Sequence, residues 1–358
     1  MKTRVFFAAV IICTAAFSCS REVAGTEGKD SKRSTMYLSV LHGTRAAGGP
    51  ADLKSSEDRI ASLDVFVFRD DRGMEDDGIL DTYRRFSGSE LGNLSGLEVK
   101  TTAGPKYVYV IANADLSGAG GIVSLSDFNV AVSDLRKERP GGFVMTGKKE
   151  VTLEMSSSVS ISLERMVCRV SLQNIRTDFS GTPYEGMKLE NVKVFLTDVR
   201  YIKKYSDGND PYYKDGTVPS LNHCGLVPAD TSAMSGRGFL CDAIPDGVSG
   251  DGTSVPHYFY CYENILGKET SDEKFTRLVI QADLNGSTYF YPVCVNRGAS
   301  NNSSPVPSGV VRNTSYGFDI TILRPGVSDP SESLDSGSMT VSIDVADWKV
   351  VPVTYISF

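Results

Sequence analysis

Short runs in which apolar and polar side chains alternate recur along this chain, and no segment repeats its apolar residues at helical spacing. Period two sends successive side chains to opposite faces of an extended strand, so a chain written this way buries its apolar faces by packing sheet on sheet. The alternation is cleanest near the end, where Met339, Val341, Ile343 and Val345 are expected to face inward. Within 59–68, Leu63, Val65 and Val67 point one way and Phe66 and Phe68 the other. Further strands are expected at 106–114, 148–155, 189–197, 257–262, 275–284, 287–295 and 315–323. The run 158–172 reads as one strand or two, because its phase shifts around Glu164 and Arg165, as at a bulge or bend. Residues 124–139 read as a short helix or an irregular crossover. The expected class is all-β, with two β-sandwich domains in tandem joined near residue 180 and a long loop-rich insertion at 203–252.

The chain opens on a basic stretch, Met1 to Arg4, followed by an apolar run over 5–16 that is too short to span a bilayer as a mature helix. It ends in Ala16, Phe17, Ser18 and Cys19, the pattern of a bacterial lipoprotein signal. We therefore expect residues 1–18 to be a signal peptide and Cys19 to carry several acyl chains, such as palmitate, because one chain is a marginal anchor and several are firm. Residues 21–33 are polar, without periodicity, and read as a tether. With 37 Lys and Arg against 44 Asp and Glu in 358 residues, the formal charge is -7. That balance argues against nucleic acid, which wants a basic footprint.

The tether leads into a strand-like run from Ser34, with Met36, Leu38 and Val40 on one face. Arg45 then stands in a segment of small residues, Thr44 to Pro50, where a protease can reach the backbone. Two readings stay open from local pattern. The run is either the first strand of a β domain followed by a loop, or a strand that cleavage between Arg45 and Ala46 removes.

Signatures of chemistry are sparse. No HExxH, GxSxG or phosphate-binding glycine loop occurs in its proper setting. The histidines are His42, His223 and His257; a zinc site from His223, Cys224, Cys241 and His257 is not expected, nor calcium at 71–77, whose spacing is not that of an EF-hand. We expect no catalytic residue and no cofactor. Beyond Cys13 and Cys19, the cysteines are Cys168, Cys224, Cys241, Cys261 and Cys294, so at most two pairs form within one chain. Cys224 and Cys241 are the best loop-closing candidates, and Cys168 and Cys294 are expected as buried thiols. The aromatic run 257–262 could stack on a sugar, but its alternation suits a packed strand better.

Several of these pieces together resemble the fimbrillins of the Bacteroidetes, the FimA-like and Mfa-like subunits of type V pili. The resemblance rests on Cys19 ahead of Arg45, on 59–68 and 107–114, on Met145-Thr-Gly147 before 161–170, on 311–316, and on 341–348 ending in Trp348. It covers nearly the whole chain and departs from the family in its cysteine-bearing strands and the 203–252 insertion. It implies two transthyretin-like sandwiches, 46–180 and 181–358, after a lipidated tether and removable strand at 19–45. It implies an outer-membrane lipoprotein precursor, cut after Arg45 by an arginine-specific protease, whose open groove then takes a strand from another copy or a related subunit, head to tail. The expected donor is the C-terminal tail, with Val351, Val353 and Tyr355 at period two. The product is a structural subunit of a cell-surface fimbrium supporting adhesion to a host or bacterial surface ligand. The alternative is a tip adhesin, or an outer-membrane-anchored lipoprotein that binds carbohydrate or protein.

Overall fold

A computed structural model describes residues 32–42, 57–116, 119–139, 141–206, 220–221, 241–253, 256–270, 273–297, 308–334 and 337–347. Among them strands dominate, as the alternation requires. The one α-helix there, α1 (Leu125–Val130), opens on a capping box: Ser124 Oγ accepts from the Asp127 N–H at 3.2 Å, and the Asp127 carboxylate accepts from the Ser124 N–H at 2.9 Å.

Seven strands form the first group: β1 (Arg33–His42), β2 (Ser62–Arg69), β3 (Leu80–Ser87), β4 (Leu97–Thr102), β5 (Gly104–Ala112), β6 (Met145–Leu153) and β7 (Ser156–Arg165). Their order is β3-β2-β5-β6-β7-β1-β4. β6 and β7 pair only at Met145–Arg165 and Thr146–Glu164, so the strip folds over there. Gly147 permits the fold, because a Cβ at that position would stand 2.3 Å from the Ser162 carbonyl oxygen. The face β3-β2-β5-β6 thus packs on the face β7-β1-β4. Leu63, Val65, Val67, Val108 and Val110 come from one side, and Met36, Leu38, Val99, Val159 and Ile161 from the other. On the far side of β2, Phe66 and Phe68 join Phe128 of α1 in a second core, which divides β2 as its alternation predicts.

A single buried residue, Met166, separates β7 from β8 (Val167–Thr177). β8 belongs to other sheets. Those contain β9 (Glu190–Thr197), β10 (Cys241–Ile244), β11 (His257–Tyr262), β12 (Arg277–Leu284), β13 (Ser287–Cys294), β14 (Thr314–Ile322) and β15 (Met339–Asp347). Their orders are β10-β9-β12-β13 and β11-β8-β14-β15. The run 158–172 is therefore two strands, and the phase shift near Glu164 and Arg165 marks a change of sheet. Every residue from Val167 to Leu172 is buried, because the outer face of β8 lies under the first group. In β15, Met339 and Val341 pack on the core, but Ile343 is 40% exposed, contrary to its alternation. β15 is the outermost strand of its sheet, and the core beneath it ends before Ile343. The rings of Phe259, Tyr260 and Tyr262 are buried, so the aromatic run 257–262 is packing and not a stacking platform.

A polar seam joins the two groups. Arg312 Nη2 donates to the Glu164 carbonyl at 2.7 Å and to Thr146 Oγ1 at 2.8 Å. Arg165 donates to Asn313 Oδ1 at 3.0 Å. The buried Glu57 carboxylate accepts from the Tyr260 hydroxyl and faces Arg169 at 3.4 Å, which fixes the chain just ahead of β2.

Glu138 is a second buried carboxyl. It accepts from the Val144 N–H at 2.9 Å and the Tyr262 hydroxyl at 2.8 Å. Burial outweighs both bonds and pushes its pKa up to about 7 from 4.5. The folded chain therefore holds a proton that the unfolded chain has released. This contribution to stability is complete below the unfolded value and is lost as pH rises through the folded one. Glu138→Gln is expected to remove the loss, on the order of 3 kcal/mol between pH of about 5 and 7.5. Urea midpoints of both chains at the two pH values check it, since titrations common to both cancel in the difference.

Candidate functional site

The candidate site is the seat of β1. β1 is the middle strand of β7-β1-β4. It runs parallel to β7, with Thr35 opposite Ser156 through His42 opposite Leu163. It runs antiparallel to β4, with Arg33 opposite Thr102 through Leu38 opposite Leu97. Further backbone bonds hold both ends. The Ala103 N–H donates to the Lys32 carbonyl at 2.8 Å, the Thr35 N–H to the Met155 carbonyl at 3.0 Å, and the Val40 N–H to the Leu94 carbonyl at 2.8 Å. Ser34 Oγ donates to the Glu154 carbonyl.

Met36 and Leu38 are 0% exposed and Val40 is 5% exposed, so the inward face read from the sequence is the face in the core. Met36 stands opposite Val99, Leu38 between Leu97 and Val159, and Val40 opposite Ile161. Burying three such side chains stabilises the seated strand by about 5–9 kcal/mol at the upper bound. The outer face is mixed: Tyr37 is 40% and Leu41 55% exposed.

β4, one wall of the seat, is also braced from its other side. Thr82 Oγ1 of β3 donates to the Lys100 carbonyl at 2.8 Å, and Arg84 donates to the Glu98 carbonyl. Asp81 accepts from the Thr102 N–H at 2.9 Å and faces Lys106 at 3.4 Å. Burial alone would raise the Asp81 carboxyl, but its bonds to Thr101 and Thr102 and the Lys106 charge hold it below its ordinary value. These side chains tie β4 to β3 independently of β1.

The other residues singled out in the sequence fall elsewhere. Cys19, Arg45, Ala46, Val351, Val353 and Tyr355 lie outside the described residues. So do His223 and Cys224; His257 Nδ1 lies 2.7 Å from the Asp242 carboxylate. The sequence reading missed β3 and β4 altogether. For β4 a signal existed, since Leu97, Val99 and Thr101 alternate with Glu98 and Lys100. It also missed the partner of Cys168, which is Cys261 in the adjacent strand.

The described chain is thus dominated by strands, and its first strand fills the middle of a sheet over a continuous apolar core. Residues 35–173 match the family model described as major fimbrial subunit protein (FimA). The chain is 24% identical over 352 residues to the major fimbrium subunit FimC of Porphyromonas gingivalis, covering 97% of this chain and 70% of that one. It is 23% identical to the major fimbrium subunit FimA type-2 of the same organism, covering 98% of both. Its fold is similar to the crystal structure of a fimbrilin (FimA) from Porphyromonas gingivalis W83, with a TM-score of 0.58, 15% identity and coverage of 91% of this chain and 99% of that one. Together these matches make the chain similar to major fimbrial subunits of Porphyromonas gingivalis, with the family match confined to residues 35–173.

Proposed function

We propose that this chain is a shaft subunit that polymerises by exchanging β1 for a strand of its neighbour. The precursor is acylated on Cys19 and held at the outer membrane. An arginine-specific protease cuts between Arg45 and Ala46, and β1 leaves with the lipid. The strand groups on either side of Met166 act as two sandwich domains. The C-terminal tail of an adjacent copy or related subunit, through Val351, Val353 and Tyr355, takes the places of Met36, Leu38 and Val40. Pro352 between them gives up one ladder donor and faces away from the core.

The observation that carries this reading is the position of β1. It is the first strand of the first group, so a cut after it breaks no connection between the remaining strands. Yet it supplies the middle of β7-β1-β4 and part of the core. Its loss leaves β7 and β4 with unpaired backbone groups facing an apolar slot, the condition that draws in a new strand. Each subunit then offers a slot at one place and a strand at another, a head-to-tail contact that does not close on itself and so grows into a filament.

Intact-mass analysis and N-terminal sequencing of subunits sheared from the cell surface test the reading. The expected result is a chain that begins at Ala46 and carries no lipid. An acylated Cys19 on most copies would overturn it and make β1 a permanent part of an anchored lipoprotein.

A further inference from the structure

We propose that Cys168 and Cys261 form a disulfide in the exported protein, a covalent staple between β8 and β11. Three observations meet at this pair. The two residues stand directly opposite one another in the antiparallel β8–β11 ladder, which runs from Val167 opposite Tyr262 to Leu172 opposite His257. Direct cross-strand partners have Cα separations of about 4.5–5.5 Å, inside the span that a disulfide bridges, and their side chains leave the sheet on the same face. The sulfur atoms already lie 3.2 Å apart. Both side chains are 0% exposed, so nothing competes for the position between them.

The compartment completes the argument. On the export proposed above, the chain lies outside the reducing cytosol, where thiols so arranged oxidise and stay oxidised. The step is thiol–disulfide exchange with a disulfide-bearing oxidoreductase of the export pathway. One cysteine thiolate attacks the oxidant's disulfide and forms a mixed disulfide. The second thiolate then attacks the protein sulfur of that bond and expels the oxidant's thiolate. Two protons and two electrons leave the pair, and the oxidant's disulfide becomes a dithiol.

The buried thiols of the folded chain cannot reach an oxidant. The hydrogen bond to Cys168 and complete burial hold the Cys261 thiol well above its ordinary value, so little thiolate forms there. Oxidation therefore belongs to folding, after β8 and β11 have paired and before the core closes over them. The bond fastens β11, the outer strand of β11-β8-β14-β15, to the strand that follows the change of sheet at Met166. The other described cysteines have no comparable arrangement. Cys241 on β10 and Cys294 on β13 sit on the two outer strands of one sheet, three strand spacings or about 14 Å apart.

The test is differential alkylation of the full chain. Surface-expressed protein is denatured in an alkylating reagent without reductant, digested and mapped by mass spectrometry. The expected result is one cross-linked peptide pair containing Cys168 and Cys261, lighter by two hydrogens than the sum of its reduced peptides. Alkylated Cys168 and Cys261 in most molecules, or a bridge from either to another cysteine, would overturn the proposal. A second arm separates the geometry from the compartment: purified reduced protein is unfolded and refolded in a glutathione redox buffer. The same cross-link is expected there, and its absence would likewise overturn the proposal. Replacing the pair by Cys168→Ala and Cys261→Ala keeps the site apolar and is expected to lower Tm by roughly 5–10 °C, a shift that reductant present during refolding should reproduce in the wild-type chain.

Discussion

A precursor carrying Leu38→Asp together with Arg45→Ala is expected to take up a synthetic peptide of residues 348–358, while Arg45→Ala alone is expected to exclude it. The second substitution blocks the proposed cut, so the wild-type β1 stays in its seat. The first acts inside the seat. Leu38 is 0% exposed between Leu97 and Val159, with no polar group placed to receive a carboxylate. Burying that charge costs several kcal/mol, about as much as the apolar contacts of β1 contribute, and the strand loses its preference for the slot. β4 stays in place through Asp81, Thr82 and Arg84 of β3, so the vacated groove keeps its walls. Fluorescence anisotropy of a labelled peptide reads the uptake. Equal binding by both precursors, or by neither, would contradict the exchange of β1 for the tail.

Deleting residues 350–358 is expected to abolish filament growth and leave a folded, cleavable subunit. The described part of the chain ends in β15, whose pairing with β14 runs from Met339 to Asp347 and is complete before the deleted segment begins. The ladder between these two strands is complete without the deleted segment. The truncated chain should still accept a full-length neighbour's tail in its seat. Mixed with intact subunits, it is expected to cap filaments and shorten them in proportion to its share. Electron microscopy and sedimentation after protease treatment check both points. Filaments built from the truncated chain alone would make the tail an ordinary terminal strand.

Much of the site could be read before the structure was known, because its information is local. Met36, Leu38 and Val40 alternate on one strand, and Leu63, Val65 and Val67 on another; all six lie in one core. What stayed hidden depends on partners far apart in the chain. The parallel pairing of β1 with β7 joins residues more than a hundred positions apart, and no local pattern reports it. β8 lost its alternation because both its faces are covered, one by its own core and one by the first group. The same burial left the junction at Met166 legible only as a bulge or bend, in one strand or two. Cys168 looked like an isolated core thiol, since its register with Cys261 is set by a ladder that brings together segments separated by the whole 203–252 insertion. Ile343 erred the other way: its alternation is real, but the core beneath it runs out.

The double clasp on β1 bears on mechanics. A strand at a sheet edge can tear away rung by rung, each step breaking one bond. One gripped by β7 on one side and β4 on the other has no free flank from which to start. Tension along its axis loads both ladders in shear, and they must fail together. Any strand occupying this slot inherits that resistance. A filament joined through it should stretch or unfold within its subunits before it parts between them.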